Sequence, residues 1–266
     1  MLERFVFLEA RKVGNLVDCT TRLVHEKLKT SDKMVSFLHR EVVGSLMYLA
    51  KSTRAVISFA VGFLSRFVNQ PSDKHVGAVK RVRSYLASTL NYGLTYQSQY
   101  GSTSRIVIDG FSDSYWGGDP DTRRSVTGVV LNLAGGAVSW LSRLQSVVAL
   151  STDEGEYIAT NEETMEAASL RNIVEETLYA TNKSIAFDIG VDKSSAMTLA
   201  MDLTFSRLTH HIELRWHYVR EQVKKIKINL HKVRTYDNTA DLLTKATSAD
   251  RVQNLIKCIG ITDALK

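Results

Sequence analysis

Apolar residues recur at helical spacing through roughly the first hundred positions, and beyond them strand-like stretches appear and then alternate with helical ones, so the chain changes texture there. The pattern from Met1 to about Gln97 predicts helices, with one apolar segment from Val42 to Ala50 and another from Ala55 to Val68. In the second, Val56, Phe59, Ala60, Phe63 and Phe67 fall at helical spacing, and the two segments are expected to pack together. Pro71 and Ser72 interrupt the run, and Asp73 stands near the start of a helix reaching about Ala87. Its exposed face is expected to carry Lys74, Lys80, Arg81 and Arg83. The polar stretch 98–104 lacks periodicity and reads as a linker, placing the domain boundary there.

Past that linker, Ile106-Val107-Ile108 leads into Gly110-Phe111-Ser112-Asp113 as a first strand. The stretches 125–133 and 137–144 predict two more, with Gly135-Gly136 as the hairpin signal, so the three strands form an antiparallel meander. A long helix is expected over 152–179, capped by Ser151 or Thr152, with Asp153, Glu154 and Glu156 near its start, where the macrodipole favours acids. Then follow a strand near 185–191, a short helix from about Ser194, a helix over 212–224, a strand over 226–233 and a C-terminal helical region. That order calls for an α/β fold with a mixed sheet flanked by helices.

Composition narrows the picture. With 266 residues, 44% of them hydrophobic, the chain can fill one large domain or two smaller ones with their own cores; two are expected, 1–100 and 101–266. A formal charge of +6 and runs such as Lys80-Arg81-Val82-Arg83 and Lys224-Lys225-Ile226-Lys227 suit a polyanionic partner, although a solvated helix face accounts for the first run equally well. Cys19 and Cys258 provide neither a disulfide framework nor a zinc site, which favours a reducing compartment. No apolar run approaches the roughly 18 residues of a membrane span and no signal-peptide layout opens the chain, so a soluble, intracellular protein without a membrane partner is expected.

Four acids, Asp113, Glu156, Asp192 and Asp241, stand at expected strand or helix ends, where one pocket could gather them. Hard divalent cations take oxygen ligands, and a pair of Mg²⁺ ions on such a cluster activates water and stabilises the leaving oxygen of a phosphodiester. Spacing alone leaves alternatives open among 28 acids. Asp153 or Glu154 fits the helix start, and Asp188 fits the strand end. His210 and His211 are adjacent and point apart, which disfavours a metal pair, while His217 could approach a nucleic acid. Asp119, Asp121, Arg123 and Arg124 read as a solvated polar turn, and Trp116 and Trp140 as core residues.

The wording around the acids is more specific. The run Gly-Phe-Ser-Asp-Ser-Tyr-Trp-Gly-Gly-Asp-Pro-Asp-Thr-Arg-Arg-Ser-Val-Thr-Gly at 110–128 is followed by Gly-Gly-Ala-Val-Ser-Trp at 135–140 and Gln-Ser-Val-Val-Ala-Leu-Ser-Thr at 145–152. Then come Glu-Gly-Glu-Tyr-Ile-Ala at 154–159, Val-Asp-Lys-Ser-Ser-Ala at 191–196, His-Ile-Glu-Leu-Arg-Trp-His-Tyr-Val-Arg-Glu-Gln-Val at 211–223 and Thr-Ala-Asp-Leu-Leu-Thr-Lys at 239–245. This ordered set strongly resembles the ribonuclease H domain of Copia-type LTR-retrotransposon Pol polyproteins. Upstream, Val-Gly-Ser-Leu-Met-Tyr-Leu-Ala at 43–50, Leu-Ser-Arg-Phe-Val at 64–68 and Ala-Val-Lys-Arg-Val at 78–82 resemble the thumb or connection segment that joins that family's reverse transcriptase to its ribonuclease H.

The resemblance implies a ribonuclease H-like, five-stranded mixed sheet flanked by helices and hydrolysis of the RNA strand of an RNA–DNA hybrid. It also implies two Mg²⁺ ions, with Mn²⁺ as a substitute. Motif by motif it selects Glu156 over Glu154 and Asp192 over Asp188. Asp113 would touch both ions, Glu156 and Asp192 would hold the one at the leaving group, and Asp241 the one activating water. Lys74, Lys80, Arg81, Arg83, Arg143 and Lys193 are the candidate nucleic-acid contacts. The polymerase part of the same polyprotein is a further expected partner, in a cytoplasmic retroelement particle or the nucleus. No Tyr-x-Asp-Asp polymerase motif and no integrase or protease signature occurs.

The chain also departs from the family's pattern. Ser114-Tyr115 replaces a second acid and a small residue, Lys193 an asparagine, Gly155 an alanine and Ala55 a proline. These departures motivate a competing expectation, a catalytically silent remnant that only binds nucleic acid.

Overall fold

The computed structural model describes residues 13–16, 23–24, 38–97, 105–179, 183–194, 197–198, 221–222 and 228–264. The first part is helical, as its periodicity predicts: α1 (His39–Ser52), α2 (Ser58–Leu64) and α3 (Asp73–Ser88). The apolar run expected from Ala55 to Val68 is broken into a 3-10 turn, α2 and a second 3-10 turn. Helix α3 begins at a capping box, in which Ser72 and His75 each bond the other's backbone.

Two short strands escape the sequence patterns. Strand β1 (Tyr92–Leu94) pairs antiparallel with β7 (Ile261–Asp263), so the last described segment returns to the helical part. Three-residue strands carry too few positions for alternation to register.

The main sheet comprises β2 (Arg105–Tyr115), β3 (Val126–Leu133), β4 (Gly136–Leu144), β5 (Ser184–Val191) and β6 (Ile228–Lys232), in the order β4-β3-β2-β5-β6. The pairs β2/β3 and β3/β4 are antiparallel, while β2/β5 and β5/β6 are parallel. This is the five-stranded mixed sheet with flanking helices that the ribonuclease H resemblance implies. The β3/β4 hairpin turns on Ala134 and Gly135, both at positive φ (53° and 78°), which is one residue earlier than the Gly135-Gly136 expectation. Between β4 and β5 runs α4 (Thr152–Thr177), and α5 (Ala249–Cys258) precedes β7. Ser151 caps α4, its side chain accepting from the Glu154 amide at 3.2 Å.

Alternation divides the sheet between two cores. Leu131, Ile108, Phe187 and Ile189 pack with Tyr157 and Ile158 of α4. Val130 and Ala137 join a larger cluster with Val42, Leu46 and Ala50 of α1, Leu64 of α2, Val79 and Leu86 of α3, and Leu242, Leu255 and Ile256. The boundary expected at 98–104 lies outside the described residues, and this cluster draws on both sides of it. Polar ties cross as well. The Trp140 indole N–H donates to the Ala50 carbonyl at 2.7 Å, and Arg66 pairs with Asp119 at 2.9 Å. Asp119, expected in a solvated turn, is buried.

Candidate metal centre

Successive side chains of β2 leave opposite faces of the sheet. Ser112 faces Thr160 of α4, and Ser114 lies under the first turn of that helix, where a Cβ on Gly155 would come within 2.7 Å of its Oγ. Asp113, between them, meets the 239–245 segment: the Thr244 hydroxyl and the Lys245 ammonium both reach its Oδ2, the latter at 3.4 Å. Glu156 enters from α4, and Asp192 follows the end of β5, the parallel neighbour of β2.

These three acids converge. Asp113, Glu156 and Asp192 each offer a carboxylate oxygen, and the three atoms lie within 4.8 Å of one another. All three are buried, at 2%, 5% and 5% exposure. Burial, then the charges of Asp113 and Asp192, holds the Glu156 carboxyl well above its ordinary value, with Lys193 and Lys245 opposing. Burial, then Asp113, pushes Asp192 up. Asp192 Oδ1 is buried with no hydrogen-bond partner among the described residues. Buried, mutually repelling carboxylates with an unsatisfied oxygen fit a hard divalent cation, which supplies the missing partner and the missing charge together.

The fourth predicted acid, Asp241, is outside the group of three and lies against one of its members, Asp113. Asp241 lies in the 3-10 segment Thr239–Leu243 and is fully buried. Lys245 reaches its Oδ1 at 2.6 Å, and Arg251 pairs with Oδ2. Burial, then the charge of Asp113, raises its pKa to about 6. The Lys245 pKa is also raised: desolvation lowers it, and Asp113 and Asp241 outweigh that loss.

Three residues not singled out from the sequence hold these groups in register. The Gln145 amide nitrogen, just past β4, shares its two hydrogens among Ser114 Oγ at 3.3 Å, Thr127 Oγ1 at 3.0 Å and the Gly155 carbonyl at 3.0 Å, joining the end of β4 to β2, β3 and α4 beside Glu156. Asn238 donates to the Ser112 carbonyl at 2.7 Å and accepts from the Ala240 amide at 3.1 Å, which fixes Asp241 against β2. Lys232 Nζ donates to the Asp192 carbonyl and, at 2.9 Å, to Ser194 Oγ. Gln145 opens the 145–152 motif, but nothing in a motif tells a positioning amide from an exposed one.

The competing acids have other partners. Glu154 accepts from the Leu150 amide at 2.7 Å, and Asp188 accepts from Asn229 at 3.2 Å. Among the basic candidates, Lys74 and Lys80 are exposed, Lys193 is half-buried beside the triad, and Arg143 is exposed and paired with Glu162. Arg81 donates to Asn15. Arg83 corrects the sequence expectation, because it is fully buried rather than on the open face of α3. The signal was present: Val76, Val79, Arg83 and Leu86 share one helical stripe, and position outweighs charge there. Trp116 also departs from its core expectation, being 45% exposed with its indole N–H on the Ala149 carbonyl at 2.9 Å. The histidines at 210, 211 and 217 and the helix expected over 212–224 fall on positions largely outside the described residues.

No family model matches the chain. Among solved structures, the fold is similar to LC11-RNase H1 from compost (12% identity, 57% of this chain and 98% of that one, TM-score 0.36). It is also similar to the N-terminal RNase H domain of rv2228c from Mycobacterium tuberculosis (14% identity, 57% and 96%, TM-score 0.32). Among curated relatives, the chain is 32% identical over 265 residues to the retrovirus-related Pol polyprotein from transposon TNT 1-94 of Nicotiana tabacum, covering 98% of this chain and 19% of that one. It is 31% identical over 263 residues to the Pol polyprotein from transposon RE2 of Arabidopsis thaliana, covering 98% and 17%. A 128-residue stretch is 46% identical to the secreted RxLR effector protein 161 of Plasmopara viticola, covering 48% of this chain and 87% of the effector. The chain thus spans less than a fifth of the length of these Pol polyproteins, while nearly all of it aligns with them. With the motifs and the strand order, this places the chain in the family of Copia-type retrotransposon Pol polyproteins.

Proposed function

We propose that this segment is the ribonuclease H of a retrotransposon polyprotein, which cleaves the RNA strand of RNA–DNA hybrids with Mg²⁺, or Mn²⁺ in its place. The observation that carries this reading is the meeting of Asp113, Glu156 and Asp192 within 4.8 Å at the strand ends of the mixed sheet. A divalent cation held there supplies Lewis-acid activation of water and charge stabilisation at the phosphate. The chain's own groups do the rest. Asp113, Glu156 and Asp192 provide the ligand oxygens, and Gln145 and Asn238 keep α4 and the 239–245 segment aligned on β2. Asp241 belongs to the same machinery through Lys245, which touches both it and Asp113. Lys193, beside the triad, and exposed Arg143, Lys74 and Lys80 are suited to the phosphate backbone. Residues 1–100 act as the connection to the polymerase part of the polyprotein. No described helix is long and apolar enough to cross a membrane. The setting proposed is the retroelement particle in the cytoplasm, or the nucleus.

The test is cleavage of a labelled RNA–DNA hybrid with Mg²⁺ or Mn²⁺ by the native chain and by Asp113→Asn. Metal-dependent cleavage that falls by more than about 100-fold in the variant is expected. Equal cleavage by both proteins, or none by the native chain, overturns the enzymatic reading. Binding that weakens steeply with salt in the absence of cleavage is the signature of the silent remnant.

A further inference from the structure

We infer that Lys245 is a resident cation standing where a second divalent ion would bridge Asp113 and Asp241, so that the protein loads a single ion on Asp113, Glu156 and Asp192. The inference rests on the metal-centre reading above and departs from the two-ion arrangement that the family resemblance implies.

Geometry carries it first. The Lys245 ammonium lies 2.6 Å from Asp241 Oδ1 and 3.4 Å from Asp113 Oδ2. These are the two carboxylates that a second ion would have to share. Ammonium and metal therefore compete for the same oxygens, and two cations do not occupy one site at such distances.

The other oxygen of Asp241 is committed too. Arg251 pairs with Oδ2, and Arg251 is itself fixed, donating to the Thr235 carbonyl at 2.9 Å and lying 5.4 Å from the centre of the Tyr236 ring. Asp241 thus spends both oxygens on protein cations, and the Thr244 hydroxyl takes the Asp113 oxygen that Lys245 also approaches. Lys245 is placed by local structure rather than by a mobile loop. It follows Asp241 by four residues, and its backbone amide returns to the Asp241 carbonyl at 3.4 Å. The triad differs: neither carboxylate oxygen Asp192 Oδ1 nor Asp241 Oδ1 has a directed hydrogen bond, but Asp241 Oδ1 has the Lys245 ammonium at 2.6 Å, and Asp192 Oδ1 has no ion-pair partner among the described residues. One side of Asp113 is short of positive charge and the other is already supplied.

The experiment counts ions directly. Bound Mn²⁺ is measured by electron paramagnetic resonance on the native chain, Lys245→Met, Lys245→Gln and Lys245→Arg, with and without an RNA–DNA hybrid whose RNA strand is 2′-O-methylated against cleavage. The expected result is one ion on the native chain and on Lys245→Arg under both conditions. Two ions are expected on Lys245→Met and Lys245→Gln with the hybrid present, at the same free Mn²⁺. Melting curves identify a variant that fails to fold, and the other neutral variant then gives the count. Two ions on the native chain overturn the inference while leaving the ribonuclease H reading intact. One ion on the native chain and on the folded neutral variants also overturns it. No ion on the native chain removes the metal-centre reading and the inference together.

Discussion

The contact that places Glu156 and the face that carries the helical segment are built from different materials. Beyond Ile108, which joins the apolar core under α4, β2 presents Gly110, Ser112 and Ser114 to that helix, and the helix answers with Glu163, Thr160 and Gly155, so backbone approaches backbone over small or polar groups. The opposite face meets α1, α2, α3 and α5 through aliphatic side chains, with Val130 and Ala137 beneath Leu46, Leu64, Leu242 and Leu255. The difference separates two tasks. The α4 face sets the distance between Glu156 and Asp113, and close contacts do that with little room for error. The aliphatic face holds the helical segment on the sheet, and its burial is a matter of area and volume.

The largest expected effect tests the polar face. Glu163 is fully buried and burial raises its carboxyl to about 8 from 4.5. The folded protein therefore keeps a proton that the unfolded chain gives up. The stabilisation is complete below about pH 4.5 and is lost as pH rises through about 8, a change on the order of several kcal/mol. Denaturant unfolding at several pH values is expected to show that decline in the native chain and a flatter profile in Glu163→Gln. Parallel profiles would remove Glu163 as its source.

Next in size is the aliphatic face. Leu46→Ala, at a fully buried position of α1, is expected to lower stability by about 2–5 kcal/mol while Mn²⁺ affinity at the triad holds. A matching loss of ion affinity in the folded variant would show that the two faces are not separate in function. Gly110→Ala reverses the pattern. Its Cβ would collide with Glu163 Oε1 and stand 3.0 Å from Leu131 Cδ2, which costs about 1–3 kcal/mol and shifts α4, so ion affinity falls along with stability.

The smallest effect is the most specific. Gly155→Ala gains roughly 1 kcal/mol of helix propensity and meets Ser114 Oγ at 2.7 Å. The single variant is expected to be neutral or destabilised, and Ser114→Ala with Gly155→Ala together more stable than the two separate changes add up to. Additive melting temperatures would mean that the contact carries no energy.

That pair also shows how far the sequence could be read. Ser114 and Gly155 looked like unrelated departures from the family's wording, and the structure makes them one contact. The strands from β2 to β6 and helix α4 were legible because each is long enough for its period to register. The convergence of Asp113, Glu156 and Asp192 was legible through motif text, with spacing alone unable to choose among neighbouring acids. What stayed hidden depends on partners distant in the chain. Arg83 reads as surface by its charge and is buried by its place on the α3 stripe. Gln145 and Asn238 become positioning residues only once β2, β4 and α4 are side by side. The cations that surround Asp241, Lys245 and Arg251, stand four and ten residues further along the chain.

The pairing of β1 with β7 has a consequence for how the chain could be divided. Strand β7 lies beyond the ribonuclease H sheet in sequence and bonds to a strand that precedes it, while the aliphatic core spans the same divide. Severing the backbone between residues 97 and 105 would therefore not release two independent proteins. The pieces are expected to remain associated as a complementing pair, and either one expressed alone would expose the apolar surface that the other covers.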